Sequence, residues 1–327
     1  AITVSIDPAT GIESNLSITF DVYLNRESVQ SIDVDYLTFD GVATNLGDYL
    51  TDSGTLTFGP SVLTQTITIT LVNDAEGEAS ETFHIELSNV TEGTIAITNG
   101  VGTIVDDDIL NINAGTTSTN ESAGTMSIPV YLSGTAGISI DVDYLTVNNS
   151  AVASDYTITS GTLTFAPGVM TQYVDVPIIN DTINESNETF YLNISNSSSV
   201  VAVIGVAQSV NTIIDDDTVT MNIASATTNE SDGSIDLLVT LDIPSDQTVS
   251  ADYTTADSSA TTVGDYSLTT GTVTFAPSVL THTITVNITD DSINDSHTED
   301  QWRLFSAYAE QYSGKFIVIV PKGFQQQ

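Results

Sequence analysis

The segment "DYLTDSGTLTFGPSVLTQTITITLVND" at residues 48–74 returns as "DYTITSGTLTFAPGVMTQYVDVPIIND" at 155–181 and as "DYSLTTGTVTFAPSVLTHTITVNITDD" at 265–291. Nothing else in the chain narrows the fold so far, because a sequence that repeats itself folds as copies of one unit. Asp155 lies 107 residues after Asp48, and Asp265 lies 110 after Asp155, an ordinary domain length. Other landmarks keep the same step: Glu13, Glu121 and Glu230, and "DDD" at 106–108 and again at 215–217. The expected organisation is a first unit at 1–108, a second at 109–217, an incomplete third at 218–297 and a divergent tail at 298–327.

Within a unit the apolar residues alternate with period two. Phe83, Ile85 and Leu87 oppose His84, Glu86 and Ser88, and Leu63, Gln65, Ile67, Ile69 and Leu71 share one face. This is the pattern of half-buried strands rich in Thr, Val and Ile. Short strands separated by "SG", "GP" and "ND" turns predict an all-β fold of tandem, immunoglobulin-like antiparallel sandwiches, with about seven strands in each. The third copy departs after "DDSINDS", where the others continue into "ETFHIELSNV" and "ETFYLNISNS". Two strands are missing there. In the replacement, Trp302, Phe305, Ala309 and Tyr312 stand at helical spacing, followed by a β-prone run at Phe316–Val320.

Charge is the second constraint. The chain holds 43 acidic and 4 basic residues, a net charge of -39. Three of the basic residues, Arg303, Lys315 and Lys322, lie in the tail, which leaves Arg26 alone among the repeats. Salt bridges therefore cannot neutralise the acids. Nucleic acid and anionic lipid are excluded as partners, because both bind through Lys and Arg. The triple aspartates are the sharpest case: at ~4 Å two such charges repel by about 4 kcal/mol near a protein surface. Metal cations are the partners that would relieve them. No cysteine is present, so disulfides, zinc–thiolate sites and cysteine nucleophiles are ruled out.

The apolar runs "VVAVIGVA" and "FIVIV" are far shorter than the ~20 residues that span a bilayer. No membrane span is expected, and "AITVSID" reads as a mature or trimmed start of an exported, extracellular or cell-surface protein.

The combination of "SDYTITSGTLTFAPG", "IINDTINESNETF" and a closing strand ending "TIIDDD" resembles the Calx-β domain of sodium/calcium exchangers, integrin β4 and bacterial surface proteins. The resemblance covers the first two units and the third to about Ser296. It implies that loop carboxylates gather at one end of each sandwich and hold calcium ions. Carried over by position, the first site comprises Glu13, Asp48, Asp74, Glu78, Glu81, Asp106, Asp107 and Asp108. The second comprises Glu121, Asp155, Asp181, Glu185, Glu188, Asp215, Asp216 and Asp217. The third offers Glu230, Asp265, Asp290, Asp291 and Asp295, but Thr298 stands where Glu188 does and no triple aspartate follows. Asn73 and Asn180 replace a frequent family acid. Ligand chemistry agrees: calcium takes six to eight hard oxygens in loose geometry, whereas zinc and copper want His or Cys.

Catalysis is not expected. "TDSGT" at 51–55 mimics an aspartic-protease triplet, but its counterparts "ITSGT" and "LTTGT" lack the acid. The histidines are scattered, with His84 and His282 read as surface residues. "DVDYLTFDG" puts Leu37 where an EF-hand needs an oxygen. Sequons at Asn15, Asn187 and Asn193 are of a kind that arises by chance in a chain rich in Asn and Thr. The reading is a calcium-rigidified structural or adhesive element that self-associates or binds other surface proteins or glycans. The incomplete third sandwich would invite strand addition, from its own tail or from a neighbour forming a fibre. The alternatives are a calcium sensor domain or a non-catalytic module of a larger secreted enzyme.

Overall fold

The structure, a computed structural model, describes residues 1–257, 260–262 and 264–290, together with the backbone of strand Lys315–Val320. The predicted helix in the tail lies outside these residues. The first unit runs β1 (Thr3–Ile6), β2 (Ala9–Ile12), β3 (Ser17–Leu24), β4 (Ile32–Asp40), β5 (Ser53–Phe58), β6 (Thr64–Thr70), β7 (Glu81–Ser88), β8 (Thr94–Ile95) and β9 (Asn99–Val105). The second repeats it as β10 (Leu110–Ala114), β11 (Ser118–Asn120), β12 (Thr125–Leu132), β13 (Ile140–Asn148), β14 (Ser160–Phe165), β15 (Thr171–Pro177), β16 (Glu188–Ser195), β17 (Ala202–Val206) and β18 (Gln208–Ile214). The third keeps β19 (Met221–Ile223), β20 (Ser234–Leu241), β21 (Val249–Asp257), β22 (Thr270–Phe275) and β23 (Thr281–Asn287), and ends in β24 (Lys315–Val320).

Each complete unit is a sandwich of a four-stranded and a five-stranded sheet, β6-β3-β1-β8 on β5-β4-β7-β9-β2 and β15-β12-β10-β17 on β14-β13-β16-β18-β11. The chain starts in one sheet and crosses to the other within a few residues. Thus β1 pairs with β3 antiparallel while β2 pairs with β9 parallel. The alternating residues point as the period demands: Ile67, Ile69, Phe83, Ile85 and Leu87 are buried, while Leu63, at the rim, stays exposed. The core of the first unit centres on Phe83, with Phe20 edge-on at 5.8 Å and Tyr49 stacked at 4.4 Å. Beside them β9 must carry a glycine, since a Cβ at Gly102 would stand 2.6 Å from the Phe83 ring. Burying such a ring removes ~150–250 Å² from water.

The third unit is a smaller version of the same sandwich. Its sheets are β23-β20-β19 and β22-β21-β24. Strand β24 lies against β21 where β7 and β16 lie in the other units, but it runs parallel to its neighbour and they run antiparallel.

Successive units meet end to end through short backbone bridges. The Gly77 N–H donates to the Thr135 carbonyl at 3.0 Å and Gly137 returns a bond to Gly77 at 3.0 Å. At the next joint Asn184 and Asp246 make the equivalent pair of bonds, Asn184 N–H to Pro244 and Asp246 N–H to Asn184.

Candidate metal centre

Strand register brings the acids together. Parallel pairing aligns Ile12 with Val105, so Glu13 and Asp106 leave their strands side by side. Antiparallel pairing sets Glu81, the first residue of β7, against Ile104 at the same end. A third element arrives through the bridge between Tyr49 and Leu71, from which Asp48 and Asp74 project a few residues apart in space. Each "Asp-Tyr" pair works as an anchor: Tyr49 is fully buried and its hydroxyl donates to Asp40 at 2.7 Å, which fixes the preceding Asp48 at the rim. Tyr156 and Tyr266 repeat the arrangement, bonding Asn148 and Asp257. Burial and the Asp257 carboxylate push the Tyr266 phenol up to about 12.

The result is four carboxylate triplets whose ligand atoms lie within 4.8 Å of one another: Glu13, Asp74 and Asp108; Asp48, Glu78 and Glu81; Glu121, Asp215 and Asp217; Asp155, Glu185 and Glu188. Asp106 is held beside the first pair by the backbone N–H of Glu78 at 3.1 Å. Asp181 accepts the N–H of Ile183 at 2.7 Å. The middle residue of each triple aspartate turns aside: Asp107 accepts from the Ser14 hydroxyl at 2.6 Å and Asp216 from that of Ser122. Both serines belong to 3-10 turns, Glu13–Asn15 and Glu121–Ala123, that the sequence pattern did not announce. In the third unit Glu230 opens the corresponding turn and Asp265 is capped by Thr261. Asp290 is exposed, and Asp291 and Asp295 lie outside the described residues.

The electrostatics are those of acids crowded without counter-charge. Burial, reinforced by neighbouring carboxylates, raises Glu78, Glu81 and Glu121 to about 7 and Glu188 to about 8. Burial also raises Glu13, Asp106, Glu185 and Asp215. Four buried oxygens in the clusters, Asp108 Oδ2, Glu121 Oε1, Asp215 Oδ1 and Asp217 Oδ2, have no hydrogen-bond partner. Oxygens left so are costly unless a cation accepts them. Hard oxygen donors in irregular loops, without a nitrogen or sulfur ligand in the triplets, fit calcium better than a transition metal.

The other sequence signals resolve as sheet surface. Asp33 and Asp35 accept from Thr57 and Thr55 across β4 and β5. Asp52, of the protease-like triplet, accepts the Tyr36 hydroxyl at 2.9 Å. His84 lies on the outer face between Phe39 and Val101, but it is half-buried and its Nδ1 has no hydrogen-bond partner.

The profile of the Calx-beta domain matches residues 1–108, 103–218 and 214–313. The chain belongs to the Calx-beta domain family. Sodium/calcium exchanger 1 of Canis lupus familiaris is 29% identical over 185 residues, 49% of this chain and 19% of that protein. Sodium/calcium exchanger Calx of Drosophila melanogaster is 32% identical over 167 residues, 49% of this chain and 18% of that one. The human extracellular matrix organizing protein FRAS1 is 32% identical over 154 residues, 43% of this chain and 4% of its own length. The matched Calx-beta segment is thus less than a fifth of each of these relatives. Among solved structures, the calcium binding domain CBD12 of CALX1.1 is 20% identical, covering 64% of this chain and 99% of that one with a TM-score of 0.33. Among the described residues no helix is long and apolar enough to cross a membrane.

Proposed function

We propose that this chain is a calcium-braced rod of Calx-beta sandwiches serving as a structural or adhesive element outside the cell. The reading rests on one observation: the four carboxylate triplets sit where one sandwich hands over to the next, and four buried oxygens in two of them, on Asp108, Glu121, Asp215 and Asp217, lack partners. Glu13, Asp74 and Asp108 with Asp106 would hold ions nearest the first handover, and Asp48, Glu78 and Glu81 would hold them beside it. Glu121, Asp215 and Asp217, then Asp155, Glu185 and Glu188, repeat this at the second. Because Gly77 sits one residue before Glu78, an ion on that loop would stiffen the bridge to Ala136. Extracellular calcium modules bind at ~10⁻⁴ to 10⁻³ M, and an ion at a hundred times its Kd stabilises by about 2.7 kcal/mol. The matrix relative supports the extracellular setting. Strand β24 supports a third unit completed by its own tail, while its outer edge, unpaired among the described strands, supports addition of a further strand and hence self-association.

Calorimetric titration with calcium, followed by melting and X-ray scattering in calcium and in EDTA, tests the reading. Millimolar calcium is expected to raise the melting temperature and narrow the range of shapes; identical curves in the two buffers would refute it. Sedimentation at increasing concentration tests self-association, which a strict monomer would exclude. The exchanger relatives favour a second reading, a calcium sensor, for which the titration would show a micromolar midpoint and a large change of shape.

A further inference from the structure

The two joints are built differently although the repeats that form them are alike. At the first, the loop between β6 and β7 reaches the second unit through the backbone of Gly77, where a side chain would be crowded. A Cβ at Gly77 would stand 3.1 Å from Leu110 Cδ1 and 3.4 Å from Val201 Cγ2, the apolar floor of the next sandwich. The nearby carboxylate Asp106 takes its hydrogen bonds from the backbone of Glu78 and Asp108, neither of which belongs to the second unit.

At the second joint the equivalent residue, 107 positions on, is Asn184. Its backbone makes the same bridge, to Pro244 and Asp246. Its side chain adds what Gly77 cannot. Asn184 Nδ2 donates to Asp215 Oδ2 at 3.1 Å and to the Asp217 carbonyl at 2.8 Å. On the other side the hydroxyl of Ser245, a buried residue of the third unit, lies 3.1 Å from both the carbonyl oxygen and Oδ1 of Asn184. A single amide therefore links a carboxylate of the second cluster to the loop of the following sandwich. One of its N–H groups places partial positive charge on the Asp215 carboxylate, engaging Oδ2 and leaving Oδ1 unpartnered for an ion, while the other holds the Asp217 carbonyl. A hydrogen bond to a charged acceptor is about twice as strong as a neutral one.

We infer that Asn184 is a positioning residue that locks the joint between the second and third sandwiches whether or not cations are bound, so that the two joints of one rod answer calcium differently. The first joint, with a glycine backbone on a loop of mutually repelling acids, loosens when ions leave; the second carries a like crowd, to which Asp246 of the third unit adds its charge. The second stays closed because the amide supplies some of what the ion would. The behaviour of the first joint rests on the calcium reading above; the asymmetry of the joints does not.

The chain has no cysteine, so pairs of spin labels can be placed cleanly at the equivalent exposed positions Thr66, Tyr173 and Thr283 on the edge strands β6, β15 and β23. Thr66→Cys with Tyr173→Cys reports the first joint, and Tyr173→Cys with Thr283→Cys the second, in the full chain with calcium or with EGTA. In EGTA the distance distribution across the first joint is expected to widen about twofold and that across the second to keep its width. Asn184→Gly should widen the second to match the first, and Ser245→Ala, which removes the arm to the third unit together with the bond that the Ser245 hydroxyl accepts from the Gln247 N–H, should widen it by less. A wild-type second joint that broadens as much as the first overturns the inference. So does an Asn184→Gly or a Ser245→Ala protein indistinguishable from wild type. If Asn184→Gly does not fold by circular dichroism, Ser245→Ala carries the test. Absence of calcium binding by calorimetry would sink the calcium reading alone; the second joint would still be the narrower of the two in every buffer.

Discussion

Leu16 closes the first 3-10 turn with φ 62°, a left-handed conformation that Gly124 and Gly233 adopt at the same place in the other two units. A leucine held there costs roughly 1–2 kcal/mol, and this one is 57% exposed, so little packing offsets the strain. Leu16→Gly is therefore expected to stabilise the first unit by up to about 1 kcal/mol, after the ~0.5–1 kcal/mol of chain entropy that glycine brings. Denaturant melting would show it. The raised carboxylates give a second expectation. A carboxyl whose pKa is higher folded than unfolded binds its proton more tightly in the native state. Its contribution is thus fully present below the ordinary value of 4.5 and is lost as pH climbs through about 7 for Glu78, Glu81 and Glu121 and about 8 for Glu188. Metal-free protein should melt several degrees lower at pH 8 than at pH 5.5, while calcium affinity should rise over the same interval as protons stop competing. Glu188→Gln should raise the melting temperature without metal and lower the gain from calcium. A variant that shifted both in the same direction would contradict the role of Glu188.

At the scale of strands and loops, the repeat and the period-two pattern carry most of the architecture, because burial on one face imposes an alternation that can be counted. The sandwich and its units were legible for that reason. The acids were expected from a family resemblance and not from local geometry, and the fold draws twelve of them into the four triplets. Less legible was what depends on pairing between distant segments. Nothing in "FIVIV" says that β24 will run parallel to β21 where its counterparts run antiparallel. Nothing in "ESN" or "ESA" says that a serine will claim the middle aspartate of a triplet 93 or 94 residues away. Asn184 was legible only as a residue of the repeat; its value comes from Ser245, 61 residues downstream. The third unit, whose two described sheets have three strands each, should be the first to open. Hydrogen exchange is expected to be fastest in β19–β23 and slowest in strands such as β7 and β16 that lie inside five-stranded sheets. Uniform protection across the three units would contradict this.

For the whole molecule the net charge of -39 is itself a destabilising field, which any mobile cation reduces. The Debye length falls from about 10 Å at 0.1 M salt to about 3 Å at 1 M. Sodium chloride is therefore expected to raise the melting temperature of calcium-free protein smoothly, and millimolar calcium to raise it further at constant ionic strength. Equal effects of calcium and sodium at matched ionic strength would leave only screening. The parallel pairing of β2 with β9, and of β11 with β18, also decides how a unit resists being pulled. Tension enters near one strand of each pair and leaves along the other in the same direction, so the rungs between them are sheared together and cannot be unzipped in succession. The first two sandwiches are thus shaped to withstand stretching. Under tension the third, whose first strand β19 has only an antiparallel partner among the described strands, would yield before them.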